Sequence, residues 1–233
     1  MTEIFPNNDP HGFVVGQFIS ETKNRFRCIV KIDNLLHECH IASSSRLEHF
    51  INLEGKQVIL TPVRSTSAKA KFTVYGVRHK RGFILLSTLA ANQAIKSSLF
   101  SRTLSCLGKR SDVKSEFTVH GYKADFYIPG SQTIIEVKSV ITEKNIAVFP
   151  SDNATRILGQ LEALAELLKI GYNAHLLIVS LNPYVKQVEI NANERFRDAL
   201  TSCVSAGLNV SAFTCRLSSE GVPCVDRKIP ITF

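Results

Sequence analysis

Asp125, Glu136 and Lys138 are the residue types that together can hold a divalent cation and act on a phosphodiester, provided the chain brings them to one surface. The stretch 121–139 reads GYKADFYIPGSQTIIEVKS, in which two runs of β-type residues flank Pro129-Gly130-Ser131-Gln132. Such a composition turns a chain back on itself. A hairpin centred between Gly130 and Ser131 sets Asp125 opposite Glu136, and a four-residue loop over 129–132 keeps the same register. Side chains alternate along a strand, so Lys138 shares the face of Glu136 while Val137 points the other way, into a core. Like charges directly opposite each other destabilise a sheet. The acidic pair therefore calls for a cation between its members.

A Mg²⁺-type ion takes oxygen ligands, commonly one or two carboxylates completed by phosphate oxygens and water. Asp125 and Glu136 supply the carboxylates, and the backbone carbonyl of Val137 is the candidate third oxygen. Bound Mg²⁺ or Mn²⁺ lowers the pKa of a water ligand and offsets charge developing on phosphorus. Lys138 is then placed to orient the attacking water or to stabilise transition-state charge. Glu116, nine residues before Asp125, is a candidate third acid or base. The candidate catalytic set is thus Glu116, Asp125, Glu136 and Lys138. The same residues also fit an ordinary ion-pair cluster.

These residues need a scaffold, and the remainder of the chain reads as two units. From Phe13 onward short strands are expected over 13–20, 25–32, 35–41, 57–63, 72–78 and 83–87, separated by Lys23-Asn24, Asp33-Asn34, Gly55 and a Ser/Thr-rich stretch. Strands at this spacing suggest a small closed barrel of OB-like type over residues 1–86. In 25–32 the alternation puts Phe26, Cys28, Val30 and Ile32 on one face and Arg25, Arg27 and Lys31 on the other. With Lys69, Lys71, Phe72 and Tyr75 these cations would form a basic, aromatic-dotted face suited to backbone phosphates and stacked bases. Arg78-His79-Lys80-Arg81 is a further basic run at a strand end.

Residues 87–233 read as an α/β domain with a mixed sheet, parallel in its later part, so that the whole chain is α+β. A helix is expected over 92–100, a strand over 113–120, the hairpin, and a loop over 140–153. A helix then spans 154–169, capped by Ser151, Asp152 or Asn153, followed by a buried strand over 174–180, a helix over 194–206 and a strand over 208–215.

Charge is divided between the two units. Residues 1–110 hold 16 Lys and Arg against 7 Asp and Glu, whereas 111–233 hold 12 against 13. The whole basic surplus lies in the first half, which points to a polyanion partner there. No stretch has the apolar length of a membrane span and the first residues do not read as a signal peptide, so the expected location is the cytoplasm, with no membrane partner. Six cysteines without a CxxC pair are expected to be reduced and mostly buried. His37, Cys39 and His40 lie close in sequence, but a strand sends His40 to the opposite face and no second ligand pair follows, so zinc is not expected. Phosphate-binding glycine loops of the Walker or dinucleotide type are absent.

The order helix, hairpin, strand, helix, strand around Asp125 and Ile135-Glu136-Val137-Lys138 resembles the PD-(D/E)xK nuclease superfamily. More narrowly, Ala124-Asp125-Phe126-Tyr127, Ile135-Glu136-Val137-Lys138-Ser139-Val140 and Phe149-Pro150 resemble the bacterial sugar fermentation stimulation protein family, over about 13–217. The resemblance implies an OB-like N-terminal domain joined to a nuclease-like domain, non-specific DNA binding, a link to maltose metabolism, and a metal-dependent site at Asp125, Glu136 and Lys138 with Glu116 as accessory acid. It departs from the family where Ser43-Ser44-Ser45 replaces a glycine turn before Arg46-Leu47, and where Ala154, Arg156-Ile157 and Gln160 stand for a Thr, an Arg-Gly and a His. Arg46 and Arg156 remain candidates for phosphate, and Gln160 for a nucleotide hydrogen bond without proton transfer. The expected function is a DNA-binding protein carrying a Mg²⁺- or Mn²⁺-dependent nuclease site, on single or double strands. The alternative is a non-specific DNA-binding regulator of sugar metabolism that does not cut.

Overall fold

A computed structural model describes residues 12–24, 26–42, 47, 50–63, 69–151 and 155–233. Six strands form the first sheet: β1 (Val14–Glu21), β2 (Arg27–Ile32), β3 (Leu35–Ile41), β4 (Gln57–Pro62), β5 (Phe72–His79) and β6 (Gly82–Leu85). Their order is β3-β2-β1-β4-β5-β6, and an additional parallel pairing of β3 with β5 closes five of them into a barrel. This is the OB-like architecture expected from the strand spacing. Asp33 and Asn34 both take positive φ, 47° and 66°, which is the two-residue turn that joins β2 and β3 with Ile32 opposite Leu35. Gly16 is required for close approach: a Cβ there would lie 2.6 Å from Val30 Cγ1 and 3.0 Å from the Lys31 carbonyl.

Cys28, Val30 and Ile32 are buried as their alternation requires, but Phe26 is 39% exposed. The strand begins only at Arg27, so Phe26 stands in the preceding turn, where the period-two rule no longer applies. All six cysteines are free thiols, four of them buried.

The second sheet is built from β7 (Lys114–Val119), β8 (Tyr122–Ile128), β9 (Thr133–Val140), β11 (Asn173–Ser180), β13 (Asn209–Leu217) and β14 (Pro223–Ile229). In the order β14-β13-β11-β9-β8-β7 the central strands β9, β11 and β13 run parallel and the outer pairings are antiparallel. The sheet is therefore mixed and its parallel part is made by the later strands β9, β11 and β13, as expected, with β14 returning antiparallel at the edge. Helices α1 (Leu89–Ser98), α2 (Thr155–Lys169) and α3 (Glu194–Ser205) supply the layers. The expected loop over 140–153 contains a short strand, β10 (Ile146–Phe149). It pairs in parallel with β12 (Gln187–Ile190), which pairs with β15 (Ile231–Thr232) to make a separate three-stranded sheet. β10, β12 and β15, of two to four residues each, carry too little alternation to stand out in the sequence.

Parity decides which face of the large sheet meets which layer. Ile134, Leu176, Ile178 and Ala212 pack with Ile157, Leu161 and Leu164 of α2 and Phe196 and Leu200 of α3. Ile135, Val137, Leu177, Val179 and Phe213 instead join Ala94 and Ile95 of α1 to the barrel residues Val58, Leu60, Val77 and Leu85. The barrel and the large sheet thus share one continuous apolar core. Polar ties cross the same seam: Leu85 N–H donates to the Leu181 carbonyl at 3.0 Å, and Lys56 pairs with Glu143 at 2.7 Å. No helix of the described residues is long and apolar enough to cross a membrane.

Phe213 is fully buried on a central strand at this shared core. Truncation to Ala is expected to cost about 3–5 kcal/mol. Urea unfolding should show barrel and sheet melting in one transition, shifted as a whole in Phe213→Ala; two separate transitions, only one of them shifted, would contradict a shared core.

Candidate active site

The hairpin places the acids as its register requires. Phe126, Tyr127 and Ile128 pair with Ile135, Ile134 and Thr133, and a tight turn over Pro129–Ser131 ends at Gln132 in the left-handed region. The next position in that ladder sets Asp125 against Glu136. On the other side of β8, Ser115 pairs with Phe126 and Phe117 with Ala124, so Glu116 stands at the position facing Asp125. Three acids thus occupy one row across β7, β8 and β9. The row is interrupted at Glu116, whose φ of 50° breaks the ladder. Non-glycine residues held there are strained and concentrate at functional sites.

Glu136 is the buried member, 3% exposed. A carboxylate taken out of water is costly unless it is paired and hydrogen-bonded, and three side chains meet this one. Tyr122 OH donates to Oε2 at 2.6 Å, Gln160 Nε2 of α2 donates to Oε1 at 2.8 Å, and Lys138 Nζ forms an ion pair with Oε1. Asp125 is held by backbone and helix: the Val137 N–H donates to Oδ2 at 2.8 Å and Asn92 Nδ2 of α1 to Oδ1 at 2.9 Å. It is therefore the amide of Val137 that ties β9 to Asp125. Glu116 is exposed and paired with Lys123 at 2.8 Å, and that hydrogen bond keeps its carboxyl below the usual carboxylate range.

Asp125, Glu136, Val137 and Lys138 line one cavity of about 710 Å³, together with Glu116, Asn92, Tyr122, Arg156, Gln160 and the Phe149-Pro150 segment. The oxygen-only character of the donors suits a hard divalent cation, which completes its shell from water and phosphate, and does not suit a thiolate or imidazole zinc site. Among the described residues each Asp125 oxygen accepts a single hydrogen bond and Glu136 Oε2 accepts one, so lone pairs remain for an ion. Gln160 Oε1 is enclosed without a donor from the described residues, one more oxygen at the same place. No three His, Cys, Asp or Glu side chains among the described residues form a self-sufficient metal cluster. An ion here would depend on solvent and substrate for the rest of its ligands.

The sequence profile described as the sugar fermentation stimulation protein RE domain matches residues 89–221, more than half of the chain and all of this cavity's hairpin. The chain belongs to the sugar fermentation stimulation protein family. Sugar fermentation stimulation protein homologs resemble it along nearly their whole length: that of Desulfitobacterium hafniense DCB-2 is 25% identical over 91% of this chain and 92% of its own, and that of Ruminiclostridium cellulolyticum 28% over 93% and 96%. A solved structure, Pyrococcus furiosus SfsA in complex with Ca²⁺, superposes with a TM-score of 0.78 across 95% of this chain and 96% of that one, at 17% identity. At that identity the likeness speaks for the fold.

Within this family member, the candidate nucleic-acid contacts divide by location. Arg156 and Gln160 are in the carboxylate cavity. Arg27 pairs with Glu38 at 2.7 Å, Arg78 lies 5.3 Å from the Phe83 ring centroid, and Lys31, Lys69, Lys71 and Arg81 are exposed; none of these six lines the cavity. Tyr75 is tilted against Phe13 at 5.3 Å and its hydroxyl meets Gln93. Arg25 and Arg46 lie outside the described residues, as do Ser43-Ser44-Ser45, Ala154 and the cap candidates Asp152 and Asn153. His37, Cys39 and His40 form no metal cluster; Cys39 is buried and His37 sits edge-on to Phe72.

Tyr122 and Asn92 join the site without any signal in the sequence. Tyr122 stands on β8 three residues before Asp125, an offset that strict alternation sends to the opposite face, and Asn92 arrives from a separate helix, so the rule that groups the acids picks out neither. Burial, and then the Glu136 charge, raises the Tyr122 phenol far above its ordinary value near 10. A phenol whose folded pKa exceeds its unfolded one contributes fully to stability below pH about 10 and loses that contribution as pH rises. Tyr122→Phe is expected to cost about 1–3 kcal/mol at neutral pH through the donor lost from Glu136, with the gap to wild type narrowing above pH about 10. Urea unfolding across pH checks this, and ultraviolet titration should show that the substitution removes no phenolate signal that appears before alkaline unfolding.

Proposed function

We propose that this protein is a divalent-metal-dependent DNA phosphodiesterase of the PD-(D/E)xK type. The observation that carries the reading is the convergence of Asp125, Glu136 and Lys138 from adjacent strands into one cavity that also contains Arg156. Asp125 and Glu136 would hold Mg²⁺ or Mn²⁺, with the Val137 carbonyl as a further oxygen. The bound ion supplies charge neutralisation on phosphorus and a more acidic water. The complex of the Pyrococcus furiosus relative with Ca²⁺ is in keeping with an oxygen-ligated cation in this fold.

The chain's own residues supply the positioning. Asn92 and the Val137 amide fix the Asp125 carboxylate, and Tyr122 and Gln160 fix that of Glu136. Such preorganised groups need not reorganise as charge develops. Arg156, exposed at the start of α2, is placed to meet a phosphate, with a planar fork that matches two of its oxygens. Lys138 offers its ammonium to the attacking water or to the equatorial oxygens. Glu116 at the cavity mouth is the accessory acid. The basic surplus of the first half draws in the polyanion without reading its sequence.

A second reading, a non-specific DNA-binding regulator that does not cut, is favoured by one observation: Glu136 already has its charge met by internal donors. Incubation with plasmid and with single-stranded DNA in Mg²⁺, Mn²⁺ or EDTA separates the two. Metal-dependent cleavage is expected, reduced by about 10²–10³-fold or more in Glu136→Gln and in Lys138→Ala, while DNA binding persists and weakens steeply with salt. Binding with no cleavage under any metal would leave the regulator.

A further inference from the structure

The ion pair between Lys138 and Glu136 joins two side chains of very different burial. Glu136 has a side-chain exposure of 4% and Lys138 of 22%, so the carboxylate is fixed inside while the ammonium enters from the cavity side. Oε1 accepts from both Lys138 and Gln160, which uses its two lone pairs. Asp125, in contrast, is held by an amide N–H and a neutral side-chain amide. Among the described residues Lys138 is thus the one cation that meets either of these two carboxylates directly.

Resting on the metal-site reading above, we propose that Lys138 is a resident stand-in for the divalent cation: its ammonium holds the Glu136 charge before an ion binds and leaves Oε1 when the ion arrives. Two cations cannot share one buried carboxylate without strong mutual repulsion in a partly dry site. Of the two, the ammonium is the one on a flexible four-carbon stem with open space beside it. Glu136 stays, because Tyr122 and Gln160 grip it independently of Lys138.

The exchange also changes what the cavity attracts. Across the charged side chains that line the cavity, Glu116, Asp125 and Glu136 balance Lys123, Lys138 and Arg156, so without an ion it offers phosphate no net attraction. A divalent ion turns the same set net positive and frees the ammonium to face a phosphodiester beside Arg156. Metal loading would therefore be the event that makes the cavity receptive to a nucleic acid backbone, so that the protein without metal keeps DNA on its barrel and out of the site.

Calcium and magnesium binding by the full chain, measured by calorimetry without DNA, tests the exchange. Lys138→Met should bind Ca²⁺ at least about tenfold more tightly than wild type, since the competing charge is gone, and Glu136→Gln should bind it more weakly than either. Acylation of Lys138 by a water-soluble reagent, followed by mass spectrometry on the wild-type protein, should increase when Ca²⁺ is added; this measurement does not depend on a variant that folds. Equal or weaker Ca²⁺ binding in Lys138→Met, or Lys138 labelling that is unchanged or reduced by Ca²⁺, overturns the exchange while leaving the metal site in place. Absence of Ca²⁺ and Mg²⁺ binding in wild type and Lys138→Met alike overturns both the exchange and the metal-site reading.

Discussion

The buried charge of Glu136 is the constraint that organises this half of the molecule. A carboxylate at the centre of a mixed sheet, pointing at the helix layer, is tolerated only when donors reach it from several elements. Here they arrive from β8 through Tyr122, from β9 through Lys138 and from α2 through Gln160. The side chain therefore constrains the position of α2 against the sheet as well as the register of the hairpin. Its neighbours along β9 are Ile135 and Val137 on the opposite face, both buried, so a one-residue slip would place the acid in the shared core and an isoleucine in the cavity. The apolar pattern and the polar network enforce the same register.

That agreement explains why the trio is legible in the sequence and the rest of the site is not. Asp125, Glu136 and Lys138 are related by a turn and by period-two alternation, both local rules. Tyr122 shares β8 with Asp125 but stands three residues before it, an odd offset that alternation assigns to the other face, and Asn92 is related to the acids only by tertiary packing, through a helix that begins at Leu89. The same distinction runs through the fold. The barrel strands and the two amphipathic helices carry enough residues to display their period, and the helix over 155–169 lies within a residue of its expected span. Strand β14 is not among the expected elements: Asp226-Arg227-Lys228 interrupts its apolar alternation, and Asp226 there is paired with both Arg216 and Arg227. Phe26 departs from its expected face because alternation holds only from the residue at which the ladder starts.

The two apolar clusters on the faces of the large sheet also determine how the two halves of the chain communicate. The face bearing Val137 belongs to the core shared with the barrel, while the face bearing Glu136 and Lys138 opens on the cavity. Consecutive residues of one strand therefore couple the barrel to the carboxylates with no intervening loop. Helix α1 reinforces the link: Ala94 and Ile95 are buried in the shared core, and Asn92 holds Asp125. Movement of the barrel relative to the sheet would have to shift a helix that grips one of the two acids.

The distribution of charge follows from this arrangement. For the proposed phosphodiester substrate, an anion meeting a site that concentrates acids, the attraction has to come from elsewhere in the molecule or from an ion added to the site. The chain does the first by placing its whole basic surplus in residues 1–110. The second needs carboxylates that are held in position before the ion comes. Asn92, the Val137 amide, Tyr122 and Gln160 are neutral donors, and neutral donors fix a carboxylate without cancelling its charge. Of the groups among the described residues that hold the two acids, Lys138 alone cancels charge, and it does so from a four-carbon stem that is partly exposed on the cavity side.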